Sequence, residues 1–208
     1  MTIAARIYKT ELLFGILLGW SDLSYLAINR SGSNFSIYWR RAYFPGTDGI
    51  WETAYSLNAS TYYDVLVTYD STSTSNDPVI YLDGSVIAAS EVSTPAGTLR
   101  DMSIFSVGVG ARAPLSLASL GFGGKLQNVA VWNRILTAAE ITTIHNGGTR
   151  LPFASYPQTG LKFFFGGMDT GQYTSKLDSA LEVSDTIYDL VNGFAGQPIN
   201  SPTLRAVG

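Results

Sequence analysis

The chain has 208 residues, a formal net charge of −3 and only 14% charged residues. It contains no cysteine, which excludes a disulfide framework, a thiolate metal site and a thiol nucleophile. No block of like charge occurs, so we expect neither nucleic acid nor a membrane as a partner.

The first apolar stretch, Leu12–Trp20, raises the question of a targeting segment, because two basic residues precede it. Glu11 at its edge and the lack of a nearby small-residue cleavage site argue against a signal peptide. The stretch is also too short to span a bilayer. We therefore predict a buried strand pair with a bend at Gly15 or Gly19, and expect no signal, anchor or membrane segment.

The segment Asn34–Arg40 has the alternation of a strand with one buried face. One face would carry Phe35, Ile37 and Trp39, and the other would carry Ser36, Tyr38 and Arg40. A strand over Ser24–Ile28 precedes it. Pro45–Gly49 predicts a loop, and Ile50–Tyr55 predicts the next strand.

The clearest hairpin lies at Val79–Ala89, where Asp83-Gly84 is the pair that a type I′ turn favours. A strand at Tyr62–Tyr69 precedes it, with Val65, Val67 and Tyr69 on one face. Ser71–Pro78 predicts a polar loop between them. Further along, Ser103–Val109 predicts a strand, and the residues from 111 to 120 predict a loop.

One helix is predicted, and it follows directly after a strand at Leu126–Trp132. Thr137 and Glu140 have the spacing of a capping box, in which each side chain bonds the other residue's backbone N–H. The helix near residues 137–146 is short because Gly147-Gly148 ends it.

The last quarter of the chain predicts a connector at 149–160 and a mostly buried strand at Leu161–Phe165. A long loop at 166–186 and edge strands at Ile187–Val191 and Thr203–Val207 follow. Many short strands with regular turns indicate an all-β sandwich or barrel.

The motifs of the central region resemble a known family. They are Tyr63–Asp70 (YDVLVTYD), Ile80–Gly84 (IYLDG), Phe122–Ile141 and Asn146–Gly148. Their order and spacing are similar to those of the laminin-G-like jelly-roll domains, within the concanavalin A-like lectin and glucanase fold. The resemblance implies an antiparallel jelly-roll β-sandwich.

The tail resembles an element that such domains often carry at their start. It includes Gly160–Phe165, Asp189–Gly193 and Ile199–Pro202. The resemblance implies that residues 160–208 supply closing strands, so that residues 1–208 form a single sandwich.

Catalysis is not expected, because the glucanase branch of this fold places its acids in an E-x-D-x-x-E strand and this chain has no such motif. Glu140 is explained by the capping box. His145, the only histidine, stands where the family has tyrosine, and we interpret it as a half-buried residue at a helix end. One histidine without cysteine also makes a zinc site unexpected.

Calcium is the cofactor that the family suggests, and the sequence does not support it. No acidic residue occurs between Met102 and Ala139. Lys125 and Asn128 stand where the family often has acids, so we expect no metal and no other cofactor. An alternative calcium set would use dispersed loop aspartates, which are more often only solvated: Asp169, Asp178, Asp185 and Asp189.

A binding surface is suggested by the aromatic and arginine-rich segment Phe35–Phe44. We take Tyr38, Arg40, Tyr43 and Trp51 as candidates for contact with a protein partner or a glycan. The alternative is that these aromatics are ordinary core and rim residues of a β-protein, because aromatic residues favour strands.

Two functions remain open. The favoured hypothesis is a bacteriophage virion protein, a capsid decoration (cement) or fibre-associated protein that binds neighbouring structural proteins. This implies assembly in the host cytoplasm, a place on the virion surface and a homo-oligomeric or lattice-bound state. The alternative is a carbohydrate-binding, lectin-like module whose partners include host surface glycans.

Overall fold

The structure is a computed structural model that describes residues 1–10, 14–20, 23–31, 34–101, 107–110 and 122–166, and two further strands at 187–188 and 195–196. Its strands in chain order are β1 (Thr2–Lys9), β2 (Gly15–Trp20), β3 (Ser24–Ser31), β4 (Asn34–Arg41), β5 (Tyr43–Thr47), β6 (Gly49–Thr53), β7 (Tyr62–Thr68), β8 (Val79–Leu82), β9 (Ser85–Ile87), β10 (Ala89–Ser93), β11 (Ala96–Leu99), β12 (Val107–Val109), β13 (Gly124–Trp132), β14 (Leu161–Phe165), β15 (Ile187–Tyr188) and β16 (Ala195–Gly196). Helix α1 spans Ala138–His145, and short 3₁₀ turns cover Asn146–Gly148 and Phe153–Ser155.

Two antiparallel sheets of six strands make the body of the protein. The first sheet has the order β14-β13-β1-β7-β8-β9, and the second has the order β10-β6-β4-β3-β2-β12. Strands β5 and β11 pair separately, as do β15 and β16. The predicted antiparallel jelly-roll β-sandwich is thereby confirmed.

The main core lies between the two sheets, because alternate residues of each strand point inward. It includes Ile7 and Val65 of the first sheet and Ile37, Trp39 and Trp51 of the second, each at most 1% exposed. The predicted inward face of Phe35, Ile37 and Trp39 is confirmed.

A second apolar cluster lies on the outer side of the first sheet. Helix α1 packs there through Ile141 and Ile144, and residues around Tyr156 pack beside it. They cover Trp132 and Phe164, which are at most 1% exposed. The first sheet is therefore covered on both sides over this half of its surface.

The local turn and cap signals act as predicted. Asp83 and Gly84 have φ values of 49° and 76°, as a type I′ hairpin needs. The Glu140 backbone N–H donates to Thr137 Oγ1 over 3.3 Å, and the Thr137 backbone N–H donates to Glu140 Oε2 over 2.9 Å. Both halves of the capping box are present, so the predicted helix start is confirmed.

Two sequence-based predictions are corrected. The described part of the apolar stretch Leu12–Trp20 forms one strand, β2 (Gly15–Trp20), in place of the predicted strand pair. Residues Pro45 to Thr47, predicted as loop, belong to strand β5. Proline is tolerated there because β5 pairs, within the part of the chain that the structure describes, with β11 alone.

The closing strands are seen in part. The predicted strand at Leu161–Phe165 is present as β14, which pairs with β13. Among the described residues, strand β15 pairs with β16 and with neither large sheet. The predicted strand at 203–207, the loops at 111–120 and 167–186, and the aspartates at 169, 178, 185 and 189 lie outside the described residues. The role of residues 160–208 within a single sandwich stays a prediction.

Within the described ranges, α1 is the one α-helix, and no helix there combines the length and hydropathy needed to cross a membrane.

Candidate functional site

The outer side of the second sheet carries a set of aromatic and polar side chains, which we call the aromatic face: Phe14, Tyr25, Asn29, Ser36, Tyr38, Arg40 and Glu52. Register brings them together, since Tyr25 pairs with Arg40, Asn29 pairs with Ser36 and Tyr38 pairs with Glu52. Paired residues point to the same side of a sheet. The face therefore combines residues of three neighbouring strands with Phe14, which precedes β2.

Three rings form the apolar part of the aromatic face. Tyr25 and Tyr38 are stacked, with centroids 5.7 Å apart and planes inclined by 17°. Phe14 meets both edge-on, at 6.1 Å from Tyr25 and 6.5 Å from Tyr38. All three side chains are partly exposed. Each ring contacts the other two in a stacked or edge-to-face arrangement, both of which are favourable. The rings therefore fix one another's orientation without a ligand.

The hydroxyl of Tyr38 stays protonated over the whole physiological pH range. Burial, followed by the hydroxyl of Tyr25, raises the pKa of Tyr38 to about 12. A neutral phenol both donates and accepts a hydrogen bond. Tyr38 therefore offers a ring and a hydrogen-bonding group at one position.

Arg40 borders the rings as a fixed and neutralised charge. Its guanidinium lies 5.8 Å from the Tyr25 centroid. Its Nε and Nη2 donate to Asp48 Oδ2 over 3.0 and 2.6 Å. The Tyr43 backbone N–H donates to Asp48 Oδ1 over 3.1 Å, which fixes the carboxylate in turn.

Glu52 forms the polar end of the face. Its Oε1 accepts from Asn29 Nδ2 over 2.8 Å, and the Ser36 hydroxyl donates to the same oxygen. Among the described residues no donor reaches its second oxygen, Oε2. The face therefore presents one unpaired carboxylate oxygen beside the Tyr38 ring.

Of the four predicted contact residues, the structure brings two to this face. Tyr38 and Arg40 lie on it. Tyr43 and Trp51 are corrected to core positions, with 4% and 1% exposure. Trp51 pairs with Trp39, so the register of β6 turns its ring inward, where Nε1 donates to Asp77 Oδ1 over 2.7 Å. The Tyr43 hydroxyl bonds the Tyr69 hydroxyl at 2.6 Å.

The sequence reasoning missed Phe14, Tyr25, Asn29 and Glu52. Alternation in β3 separates Tyr25 and Asn29 from the buried Leu26 and Ile28, and this signal could have identified Tyr25 and Asn29. Glu52 joins through the pairing of β6 with β4, which no local pattern specifies.

A second polar cluster joins the first sheet to helix α1. Arg6 Nη1 donates to both oxygens of Asp64, over 2.9 and 3.0 Å, and Arg6 Nη2 bonds the Gly148 carbonyl. His145 Nδ1 lies 2.8 Å from Asp64 Oδ2. The Asp64 backbone N–H donates to Asp83 Oδ1 over 2.8 Å. This arrangement supports the interpretation of His145 as a structural residue at the helix end.

The second cluster contains side chains that could bind a metal, but one of them, Asp64, is already bonded to Arg6. The ligand atoms of Asp64, Asp83 and His145 all lie within 4.8 Å of one another. Arg6 already occupies Asp64 with a positive charge, and a cation would have to displace it. We therefore interpret the cluster as structural, because it connects the first sheet to helix α1.

Asn128, which stands where the family often has an acid, also has a structural role. It is 2% exposed, with a positive φ of 49°. Its Nδ2 donates to the Leu151 carbonyl over 3.0 Å, and its Oδ1 accepts from Arg150 Nε over 3.2 Å. Its amide thus fixes the chain that covers the first sheet.

Solved structures with a similar fold exist at low identity. A protein of Bacteroides ovatus ATCC 8483, for which carbohydrate binding has been suggested, is 19% identical with a TM-score of 0.64. The alignment covers 99% of this chain and 54% of that one, so this chain spans about half the length of that protein. A heptameric SAP-like pentraxin from Limulus polyphemus is 14% identical over 69% of this chain and 68% of its own, with a TM-score of 0.51. No curated protein matches the chain significantly by sequence.

A family comparison identifies the sequence more directly. A laminin G family model, described as "Concanavalin A-like lectin/glucanases superfamily", matches residues 8–142. The match takes in every strand that supplies the aromatic face, and also the first part of helix α1, up to Thr142. This chain therefore belongs to the concanavalin A-like lectin/glucanases superfamily.

Proposed function

We propose that the protein is a non-catalytic carbohydrate-binding module whose ligand packs on the aromatic face of the second sheet. The observation that carries the proposal is the partly exposed, stacked pair of Tyr25 and Tyr38 beside hydrogen-bonding groups. A sugar ring has an apolar C–H side that packs on an aromatic ring, and hydroxyls that need polar partners. The aromatic face offers both within one patch.

The likeness to the Bacteroides ovatus protein supports this proposal over the virion hypothesis. Carbohydrate binding has been suggested for that protein, and its fold aligns with nearly the whole of this chain. Decoration of a capsid and a place on the virion surface stay predictions. Copurification of the chain with particles from its source would test them.

Three of the described acids are held by partners within the fold, which supports a binding role without catalysis. Asp48 is paired with Arg40, Asp64 is paired with Arg6, and Glu140 is engaged in the helix cap. A glycosidase needs two carboxylates that flank one bond. We therefore expect glycans to be bound and released unchanged.

The test is a glycan and polysaccharide binding screen, followed by calorimetry on the wild type and on Tyr38→Ala. Loss of the stacking ring should weaken binding by about tenfold or more, since a tenfold change corresponds to ~1.4 kcal/mol. The matched control is Tyr62→Ala, because Tyr62 is 38% exposed but belongs to the first sheet. Equal loss in both variants, or no glycan bound by the wild type, would refute the proposal. Hydrolysis of a bound glycan would refute its non-catalytic part.

A further inference from the structure

We infer that the aromatic face selects uncharged glycans over acidic ones, and that Glu52 sets this preference. The inference rests on the proposed function, because it concerns the ligand of the same site. Acidic glycans here are those that carry a uronic acid, a sialic acid or a sulfate group.

The electrostatics of the face come from two side chains with opposite charges. Arg40 is neutralised by its two hydrogen bonds to Asp48. Glu52 accepts only from a neutral amide, Asn29, and a neutral hydroxyl, Ser36. Within the described residues no cation pairs with Glu52, so the face keeps one uncompensated negative charge.

Glu52 lies where a ligand on the tyrosine rings would meet it. It is the direct ladder partner of Tyr38, and side chains in such pairs stand about 4.5–5.5 Å apart at Cβ. A sugar packed on the Tyr38 ring therefore places its edge next to the free Oε2. A hydroxyl there would donate a charge-assisted hydrogen bond, which is about twice as strong as a neutral one.

An anionic substituent at the same edge would meet repulsion from Glu52. Like charges a few ångströms apart near a protein surface repel strongly, and salt reduces the effect. We expect acidic glycans to bind at least about tenfold more weakly than their neutral counterparts at low ionic strength. The difference should shrink in 0.5 M NaCl as screening grows.

Glu52 also connects strands, and a suitable variant separates this role from its charge. Its bonds to Asn29 and Ser36 both end on Oε1. Glu52→Gln has the same shape and keeps a side-chain oxygen as acceptor for both donors. The negative charge is then the property removed.

The experiment measures the affinity ratio between neutral gluco-, galacto-, manno- and xylo-oligosaccharides and the same sugars with a uronic acid or sulfate. For the wild type we expect a ratio of about ten or more in favour of the neutral member, and for Glu52→Gln a ratio below about three. Glu91→Gln is the matched control. Glu91 is exposed on the neighbouring strand β10, and its pairing with the inward Trp51 places it on the opposite side of the sheet from the aromatic face. It should leave the ratio unchanged, and thermal melting checks that all variants fold.

The outcomes separate this inference from the proposed function. Acidic glycans that bind the wild type as well as neutral ones, with binding lost in Tyr38→Ala, would overturn the inference and support the site. An unchanged ratio in Glu52→Gln would also overturn it. Binding that is indifferent to Tyr38→Ala, or absent altogether, would overturn the proposed function itself.

Discussion

The outer side of each sheet carries a stacked pair of aromatic rings, but only one of the two pairs is buried. On the first sheet, Trp132 and Tyr156 are stacked at 6.3 Å and 15°. On the second, Tyr25 and Tyr38 are stacked at 5.7 Å and 17°. The first pair is 0% and 5% exposed, because helix α1 and the chain around Tyr156 cover it, whereas the second pair is partly exposed.

The comparison shows that stacked aromatics alone do not indicate a ligand site. Trp132 has both its ring and its Nε1 engaged by the chain, the latter by a 2.7 Å bond to the Pro157 carbonyl. Tyr38, by contrast, is partly exposed. The difference lies in what the following segments of chain cover, and it predicts a division of labour that can be measured.

The largest expected effect is on stability, at the covered face. Trp132→Ala should lower the free energy of unfolding by about 3–5 kcal/mol, as for other buried large aromatic residues. Urea denaturation measures this. Val86→Ala is the control, since Val86 points to the same side of the same sheet but is 64% exposed, and it should cost less than about 1 kcal/mol. Similar losses in both variants would mean that the covering segments add little.

The next effect compares the two arginine–aspartate pairs. Arg6 and Asp64 have side-chain exposures of 14% and 15%, against 31% and 23% for Arg40 and Asp48. Arg6→Met should cost about 1.5–3 kcal/mol, because it leaves a largely buried carboxylate without its cation. Arg40→Met should cost less than about 1 kcal/mol. Urea denaturation ranks the two, and the reverse order would contradict the structural role of the Arg6 cluster.

The smallest effect concerns the helix cap and depends on pH. Bonds from Arg134 and from the Thr137 backbone N–H lower the pKa of Glu140 from 4.5 to about 2. A lowered pKa gives stability that is present above the unfolded value and is lost as the pH falls from about 4.5 towards 2. The pair is partly exposed, so solvent screens it and Glu140→Gln should cost only about 0.5 kcal/mol at pH 6.

Unfolding measured from pH 6 to pH 2 checks the sign of this last effect. The wild type and Glu140→Gln should converge at the acid end of the series. A difference that persists unchanged at pH 2 would mean that the carboxylate charge does not act through the cap. Glu91→Gln serves again as a control without a cap role.

The elements that depend on neighbouring residues were predictable from the sequence. Alternation placed Trp39 inward and Tyr38 outward, the Asp83-Gly84 pair specified the hairpin, and the Thr137 hydroxyl fixed the start of α1. Each of these signals acts within a few residues of chain, where steric and hydrogen-bonding preferences are strong.

The features that depend on strand register were not predictable. The sequence suggests Trp51 as a surface contact residue, but its pairing with the inward Trp39 places its ring in the core. Glu52 and Tyr25 reach the same patch as Tyr38 only through ladders between separate strands. A shift of one residue in pairing reverses every side chain, and nothing local to β6 determines that choice.

Strand β1 occupies the middle of its sheet, between β7 and β13. In β1, Ile3 pairs with Val67 of β7 on one side and with Val131 of β13 on the other. Both partners are far from Ile3 along the chain. Such topologies fold slowly, since loop closure precedes the gain from pairing. During synthesis β1 leaves the ribosome before either partner, and after β7 has emerged one edge of β1 still stays unpaired until β13 follows.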